Sequence, residues 1–330
     1  MKFTRVLDDA LDRSVVLGYT KIGSRLRRTW WPADPQPKAM AGKRVLVTGA
    51  TAGIGEAIAR SFVELDATVH LLGRNADKVR HSAGAIRRVV PGAMVVEEVC
   101  DVSDLDAVRV WCQDLSGRIE ELHGVVHNAG AMPKERIETT QGHETQLASH
   151  VLGPHLMTDR LLPLLRDAQG ASVVFMSSGG MYTTPLSVED MESKSGEYNG
   201  VRVYARTKRM QVVLAEAWAK RLSGDDIRVE SMHPGWVETP GVADALPLFR
   251  VVTRPLLRDT ADGADTAVWL VATRPESVSG HFWHDRAQRP TTFGWQRAED
   301  PELVARFLDA VCAMTGTMQF TQDWQETHRD

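Results

Sequence analysis

The sequence predicts an α/β fold in which a single doubly wound parallel sheet has helices on both faces, preceded by an N-terminal helical extension. Short apolar runs alternate with amphipathic helical stretches at regular intervals, as is typical of right-handed βαβ units. A glycine-rich segment, 48–55, separates the first run from the helical stretch after it. The composition, 43% hydrophobic and 25% charged over 330 residues, suits one large core.

The composition also excludes several classes of function. The net charge of −4 provides no basic excess for neutralising nucleic-acid phosphates. The three cysteines include no C-x-x-C pair, and there is no H-E-x-x-H motif, so we predict neither a disulfide framework nor a metal site. No apolar run has the roughly 18–20 residues of a membrane span, and no signal peptide is recognisable. We therefore expect a cytoplasmic protein.

The first segment, 1–40, is predicted to lie ahead of the main domain, 41–330. Apolar residues at i, i+3 and i+4 spacing within 3–15 indicate an amphipathic helix, for which Gly18 is a plausible stop. Basic residues and two tryptophans follow, and the proline-rich stretch 32–37 indicates a linker. The helix packs either on the body of the protein or on a membrane or partner, and the sequence leaves both open.

The predicted strands of the main domain are short apolar runs, most of them followed by a helical stretch or a polar loop. They lie at 44–47, 68–72, 94–100, 124–126, 171–176 and 227–232, with a last strand and its exit at 280–286. The histidines in the last of these segments are interpreted as structural. A C-terminal helix completes the domain.

The glycine-rich segment predicts a Rossmann-type dinucleotide site. Its glycines stand where a strand ends and a helix begins, so backbone N–H groups and the helix N-terminus can approach a pyrophosphate. The residues predicted to contact a cofactor here are Gly49, Thr51, Ala52, Gly53, Ile54 and Gly55.

The end of the second strand predicts which cofactor binds. NAD-binding units place an acidic residue there to hold the ribose 2′-hydroxyl, but this sequence has Gly73-Arg74-Asn75. A guanidinium suits a 2′-phosphate, and no carboxylate is present to repel one. We therefore predict NADP(H) rather than NAD(H), with Arg74 and Asn75 among the binding residues. The alternative is a solvated arginine at a helix cap.

A tyrosine and a lysine four residues apart, Tyr204 and Lys208, lie on one helix face. A phenol has a pKa near 10 and is a poor acid or base at neutral pH. A neighbouring ammonium group favours the phenolate, so we expect Lys208 to lower the pKa of Tyr204 towards the range useful in catalysis.

Together these motifs resemble the classical short-chain dehydrogenases/reductases. The Thr48–Gly55 pattern, Asn128-Ala129-Gly130, Ser178, the Tyr204/Lys208 pair and Pro234-Gly235 follow that family's order, and the resemblance spans 42–285. It implies that Ser178 holds the substrate oxygen, that Tyr204 passes the proton, and that Lys208 binds the nicotinamide ribose. The further cofactor contacts that it implies are Asp101, Val102, Asn128, Ala129, Gly130, Val151, Pro234, Gly235, Val237 and Thr239.

Two departures from the family pattern stand out. His150 occupies the place of the asparagine that completes the family's proton relay to the lysine through water. A histidine can relay protons itself, so His150 either preserves activity or marks an altered site. In addition, the interval from Ser178 to Tyr204 is about twice the family's common spacing, and it resembles the retinol-dehydrogenase-like branch.

The substrate is expected to be a lipophilic carbonyl compound or alcohol. The family places a mobile lid after Thr239, and the segment at about 240–262 is rich in apolar residues, which suit an apolar ligand; the alternative is a core helix. The function predicted is therefore an NADP(H)-dependent carbonyl reductase or alcohol dehydrogenase. The alternative is an NADP(H)-binding sensor or scaffold with little catalysis. A homo-oligomer and a peripheral membrane contact stay open.

Overall fold

The computed structural model describes residues 2–14, 16–238, 253–293 and 296–320. An eight-stranded sheet organises these residues, with strand order β3-β2-β1-β4-β5-β6-β7-β8. The strands are β1 (Arg44–Thr48), β2 (Thr68–Gly73), β3 (Val95–Val99), β4 (Gly124–His127), β5 (Ala171–Met176), β6 (Ile227–Met232), β7 (Phe282–His284) and β8 (Ala287–Arg289).

Helices cover both faces of the sheet. They are α1 (Lys2–Arg13), α2 (Val16–Tyr19), α3 (Lys21–Arg27), α4 (Gly53–Glu64), α5 (Ala76–Val89), α6 (Leu105–Arg118), α7 (Thr145–Leu147), α8 (Gly153–Asp167), α9 (Gly200–Arg221), α10 (Thr260–Thr273) and α11 (Pro301–Thr315). A π-helical segment, Ala148–Leu152, joins α7 to α8, and short 3₁₀ turns lie at Gly179–Thr183 and Arg254–Leu256.

The apolar side chains of the strands alternate between two cores. Val45 and Val47 pack on one face with Val126 and Val174, beneath α4, α5 and α10. Leu46 packs on the opposite face, in the core that also holds residues of α6, α8 and α9. Successive side chains of a strand point to opposite faces, so runs of consecutive apolar residues are what a sheet covered on both sides requires.

The sheet is parallel from β3 through β7, as predicted, and its last strand departs from the prediction. β8 pairs with β7 in the antiparallel direction. The segment predicted as one strand and its exit is a tight hairpin, in which Asp285 and Arg286 both have positive φ values, +52° and +54°. The turn reverses the chain because two successive left-handed residues suit a two-residue hairpin.

The N-terminal helix is shorter than predicted. α1 ends at Arg13, and two further short helices, α2 and α3, follow before the proline-rich stretch. Gly18, expected as the stop, lies instead inside α2 in close contact with Leu11, since a Cβ on Gly18 would be 2.3 Å from the Leu11 carbonyl oxygen.

The N-terminal helices pack on the body of the protein through buried ion pairs. Arg27 is fully buried, and its guanidinium hydrogen-bonds to Asp8 at 2.7 Å and to Asp285 at 2.8 Å. The proline-rich stretch also lies against the body, where the carbonyl oxygens of Pro32 and Ala33 accept hydrogen bonds from side chains of the main domain.

The predicted lid lies largely outside the described residues, which omit 239–252. The described remainder of that segment is the 3₁₀ turn at Arg254–Leu256 and the first residues of α10. Arg258 forms an isolated parallel bridge with Val237. The two described ends of the segment therefore meet next to the sheet.

Candidate active site

A cavity of about 350 Å³ lies at the carboxyl edge of the sheet, where the strand order reverses between β1 and β4. Ligands of open α/β sheets bind at this switch point. The cavity walls come from the loops after β1, β2, β3 and β4. Its predicted residues are Gly49, Thr51, Ala52, Gly53, Ile54, Gly55, Arg74, Asp101, Val102, Asn128, Ala129 and Gly130.

Close backbone packing requires the glycines of the first loop. Gly49 and Gly53 have φ values of +64° and +59°, which residues with a Cβ rarely adopt. A Cβ on Gly55 would lie 2.3 Å from the Gly49 carbonyl oxygen and 2.4 Å from Nδ2 of Asn128. The loop can therefore wrap tightly before α4 and present its N–H groups to the cavity.

Asn128 and Thr48 connect the first loop to the end of β4. The Asn128 side-chain amide donates to the carbonyl oxygens of Thr48 and Gly49 at 3.1 and 3.3 Å. The Thr48 hydroxyl accepts from the backbone N–H groups of Asn128 and Ala129, both at 3.0 Å. The Asn128 side chain thus fixes the shape of the cavity wall.

At the end of β2, any side chain in place of Gly73 would require Thr51 to move. A Cβ on Gly73 would lie 2.5 Å from Cγ2 of Thr51. The next residue, Arg74, is exposed and lines the cavity. Asn75 is placed differently from the prediction, because its side chain caps α5 by accepting from the Lys78 N–H at 2.9 Å.

The structure does not bring every predicted cofactor residue to a cavity. Val151 is fully buried in the core between the sheet and α6, α8 and α9, and its neighbours Thr145 and Ser149 line the cavity instead. Sequence reasoning missed both; Ser149 lies in the π-helical segment, which shifts which side chains face one direction. Val237 packs against Gly263, and Thr239 lies outside the described residues.

A second cavity, of about 190 Å³, shares Ile54, Asn128, Gly130 and Ala131 with the first. Its remaining lining residues come mainly from β5, its following loop and α9. They are Met132, His150, Met176, Ser177, Tyr204, Lys208 and Pro234. Three of the residues predicted to be catalytic, His150, Tyr204 and Lys208, therefore line a cavity that borders the nucleotide-type cavity.

Tyr204 and Lys208 line this second cavity, and Ser178 lies behind them within hydrogen-bonding reach of Tyr204. Ser178 caps the 3₁₀ turn after β5, and its hydroxyl accepts from the Gly180 N–H at 3.2 Å. Burial raises the pKa of Tyr204, and a hydrogen bond from Ser178 acts in the opposite direction. The pKa of Tyr204 is therefore raised overall, contrary to the expectation that it is lowered towards the catalytic range, because burial disfavours the phenolate.

Lys208 is buried, and its amine is held by protein acceptors. Nζ donates to the Met176 carbonyl oxygen at 2.8 Å and to Oε1 of Gln211 at 3.0 Å. Nζ also lies 5.3 Å from the centre of the Tyr204 ring. Burial lowers the pKa of Lys208 to about 7, because a low-dielectric site disfavours the ammonium form.

His150 is fully buried, and its ring stands edge-on to the Tyr204 ring at 5.4 Å. Nε2 accepts from the Ala131 N–H at 3.2 Å, so the proton lies on Nδ1, which is 2.8 Å from the Thr207 hydroxyl. Burial, with a smaller contribution from Lys208, lowers the pKa of His150 well below its usual value. The imidazole is therefore neutral, with both nitrogens hydrogen-bonded.

The N-terminal helices contribute to the wall behind Ser178, which the sequence did not predict. A Cβ on Gly179 would lie 2.5 Å from the Tyr19 ring. The Tyr19 carbonyl oxygen accepts from the Trp236 N–H at 2.7 Å and from Nε of Arg258 at 3.0 Å. The loop after β6, which begins with Pro234, thus rests on α2.

Two further features concern metal binding and membrane crossing. Among the described residues, no cluster of three or more His, Cys, Asp or Glu could hold a metal ion. In the same part of the chain, every helix is too short or too polar to cross a bilayer.

Comparison with known proteins identifies the family. The family model described as short chain dehydrogenase matches residues 43–247. Human dehydrogenase/reductase SDR family member 12 is 36% identical over 294 residues, which cover 87% of this chain and 92% of that protein. Mouse retinol dehydrogenase 14 is 29% identical, covering 90% and 92%. An Escherichia coli short chain dehydrogenase structure, in complex with NADPH, shares the fold with a TM-score of 0.62 at 23% identity, covering 77% and 100%. This chain belongs to the short chain dehydrogenase family and is an oxidoreductase of its retinol-dehydrogenase-like branch.

Proposed function

We propose that the protein is an NADP(H)-dependent oxidoreductase that interconverts a carbonyl compound and an alcohol, with Tyr204 as the acid/base. The observation that carries the proposal is the convergence of Ser178, Tyr204 and Lys208 beside a cavity that shares walls with the glycine loop. A nicotinamide cofactor supplies the hydride in such a reaction. The protein then has to bind and orient the cofactor and the substrate, and to transfer one proton.

The residues present fit such a cofactor. The N–H groups at the start of α4 suit a pyrophosphate. Asp101 and Val102 line the same cavity, where an adenine would lie, and Pro234 lines the neighbouring cavity with Tyr204. Asp101 is held in place by Ser103, whose N–H and hydroxyl donate to one carboxylate oxygen at 2.9 and 2.7 Å.

The chemistry assigned to the side chains follows from where charge develops. During reduction, negative charge builds on the carbonyl oxygen, and hydroxyl donors aimed at that oxygen stabilise it. Ser178 and Tyr204 are two such donors, and Tyr204 gives up its proton to form the alcohol. Burial keeps Tyr204 protonated at neutral pH, which suits a proton donor in the direction of reduction. Lys208 lies where its charge can stabilise the phenolate that is left.

NADP(H) is favoured over NAD(H) by the end of β2. Gly73 provides no carboxylate to repel a phosphate, and no hydrogen bond or ion pair engages the Arg74 side chain within the described part of the chain. A free guanidinium beside the cavity can pair with a 2′-phosphate. The NADPH complex of the E. coli relative supports the same choice.

A lipophilic substrate is favoured by the side chains at the catalytic cavity. Met132, Met176 and Pro234 form much of its apolar lining, and methionine adapts to varied apolar ligands. Retinol dehydrogenases are among the similar proteins, and their name denotes an apolar alcohol.

The test is NADPH consumption by the purified protein with a panel of lipophilic aldehydes, ketones and quinones. Turnover with at least one of them, lost on replacing Tyr204, supports the proposal. A protein that binds NADPH tightly but reduces none of the panel contradicts it.

The second candidate is an NADP(H)-binding sensor or scaffold with little catalysis. His150 favours it, because both ring nitrogens are hydrogen-bonded to neighbours and the ring is neutral. His150→Asn separates the two candidates. If the native site is catalytically competent, the turnover rate of the variant lies within about threefold of the wild-type rate, since the acid/base group is unchanged. A gain of tenfold or more would show that the native site is impaired.

The N-terminal helices offer a surface for peripheral contact with an anionic membrane. Leu17, Ile22 and Leu26 are exposed there, beside exposed Arg25 and Arg28, and apolar side chains flanked by cations suit an interface. Flotation with phosphatidylserine vesicles, compared with neutral vesicles, tests this contact. Sedimentation at increasing protein concentration tests the homo-oligomer that family membership suggests.

A further inference from the structure

A fully buried glutamine lies one helical turn after the catalytic lysine. Gln211 is 0% exposed, and both ends of its amide are hydrogen-bonded. Oε1 accepts from Nζ of Lys208 at 3.0 Å, and Nε2 donates to the carbonyl oxygen of His150 at 2.8 Å. These two partners fix the orientation of the amide, because a lysine ammonium group can only donate and a carbonyl oxygen can only accept.

The backbone at His150 is arranged to receive this donor. In an α-helix the His150 carbonyl oxygen would accept from the N–H of residue 154, but residue 154 is proline and has no N–H. The surrounding residues, Ala148–Leu152, are π-helical. The His150 carbonyl oxygen therefore lacks its α-helical donor, and it accepts from the Gln211 amide on α9.

The amide of Gln211 forms a bridge between Lys208 and the His150 carbonyl oxygen. This bridge limits the further hydrogen bonds that Lys208 can donate. An ammonium group has three hydrogens, and two of them are used by Met176 and Gln211. One hydrogen is left for Tyr204 or a ligand. A water molecule at the position of the amide could both accept and donate protons, whereas a glutamine amide holds its partners without passing a proton between them.

We propose that Gln211 is a positioning residue whose amide takes the place of a bridging water, holding Lys208 beside Tyr204 and tying it to the His150 carbonyl. The inference rests on the proposed function for its catalytic consequence only. The bridge itself is a property of the folded protein and can be tested without turnover.

Two substitutions separate positioning from packing. Gln211→Met conserves volume but removes the strong hydrogen bonds, whereas Gln211→Ala leaves space in which one water can contact Lys208 and His150. If Gln211 positions Lys208, kcat/KM falls at least about tenfold in the Met variant and no more than about threefold in the Ala variant. If Gln211 only fills space, the order reverses, because the Ala variant has the larger cavity. Wild-type rates in both variants would also overturn the proposal.

A second readout does not require a substrate. We would follow the ionisation of Lys208 by nitrogen NMR of lysine-labelled protein, with Lys208→Met to assign the signal. Removing an acceptor from the ammonium form lowers its pKa, so the midpoint falls by at least about half a unit in Gln211→Met, whereas a water restores it in Gln211→Ala. An unchanged midpoint in both variants overturns the proposal, even if the protein has no turnover with any substrate tried.

Gln146 provides a matched control. It is also 0% exposed, and its amide donates to the Tyr198 hydroxyl at 2.9 Å and to the Gly200 carbonyl oxygen at 3.0 Å. Gln146→Met removes the same kind of buried amide away from Lys208. We expect this substitution to lower the stability of the protein while leaving the midpoint of the Lys208 titration unchanged. If Gln146→Met shifts that midpoint as much as Gln211→Met does, the effect is not due to the bridge.

Discussion

Arg258 and Asp285 form a buried ion pair beneath the N-terminal helices. The two guanidinium nitrogens of Arg258 lie 2.5 and 2.9 Å from the two carboxylate oxygens. The same guanidinium donates to the carbonyl oxygens of Gly18 and Tyr19 at 2.8 and 3.0 Å. Burial alone would raise the pKa of Asp285, but the cations packed against it hold the pKa well below its usual value. This pair therefore ties the chain that follows residues 239–252 to both the last hairpin and α2.

Asp285→Asn is expected to destabilise the protein strongly. The substitution leaves the buried cations Arg258 and Arg27 without this counter-charge, and breaking a buried pair costs about 3–5 kcal/mol. Denaturant unfolding would measure the loss. Asp77→Asn is the control, because Asp77 pairs with Arg80 on the surface and such pairs contribute at most about 1 kcal/mol. Equal effects of the two substitutions would contradict a structural role for the buried pair.

Tyr204→Phe is expected to abolish turnover while NADPH still binds. Phenylalanine keeps the ring but removes the hydroxyl that passes the proton, so the rate should fall by at least about 100-fold, the lower range for general acid catalysis. Steady-state kinetics and NADPH fluorescence titration measure the two properties. Tyr198→Phe is the control: the Tyr198 hydroxyl contacts Glu144 and Gln146, not the catalytic cavity. Wild-type turnover by Tyr204→Phe would refute the assigned mechanism.

Arg74→Asp is expected to weaken NADPH binding far more than NADH binding. Losing a charged hydrogen bond to a phosphate costs about 1.5–3 kcal/mol, or roughly 10- to 150-fold in the dissociation constant. Titration with each cofactor measures the preference. Arg88→Asp makes the same change of charge at the exposed far end of α5 and should leave the preference as it is. An unchanged NADPH/NADH ratio in Arg74→Asp would remove Arg74 from the phosphate site.

The environment of Glu98 leads us to expect that the folded protein loses stability in acid. Burial would raise its pKa, but hydrogen bonds from His70, Arg118 and Trp111 lower the pKa from 4.5 to about 2. Since the folded pKa is depressed, the stabilisation is present above about pH 4.5 and is lost as pH falls towards 2.

Replacing Glu98 with Gln tests this pH dependence. The variant should be about 1.5–3 kcal/mol less stable than the wild type at pH 7, because an amide has no negative charge to pair with Arg118 and offers one acceptor oxygen where the carboxylate offers two. The difference should shrink on acidification, as measured by unfolding at several pH values. Glu97→Gln serves as the control. Glu97 is the preceding residue of β3 and forms a partly exposed ion pair with Arg87. A difference that is constant with pH would contradict the assignment.

The sequence predicted the features that depend on local pattern. Short apolar runs gave the strands from β1 to β7 within a few residues, because a strand buried on both faces needs continuous apolar side chains. Glycines at a strand end, together with Gly73-Arg74, located the nucleotide-type cavity. A four-residue helical spacing placed Tyr204 and Lys208 on one face.

The errors arose where contacts distant in sequence decide the outcome. A two-residue turn reversed β8, which pairs with β7 in the antiparallel direction. The pKa of Tyr204 is raised rather than lowered, because burial depends on everything packed around the ring.

The sequence by itself determined the family, the sheet and the set of chemical groups at its carboxyl edge, since these follow from periodicity and from motifs within a few residues of each other. Only the tertiary structure decided that Gln211 bridges Lys208 to His150 and that Arg258 ties the N-terminal helices to Asp285. His150 is 61 residues from Gln211, and Arg258 is 27 residues from Asp285. A buried polar group finds such a partner through packing rather than through any local pattern.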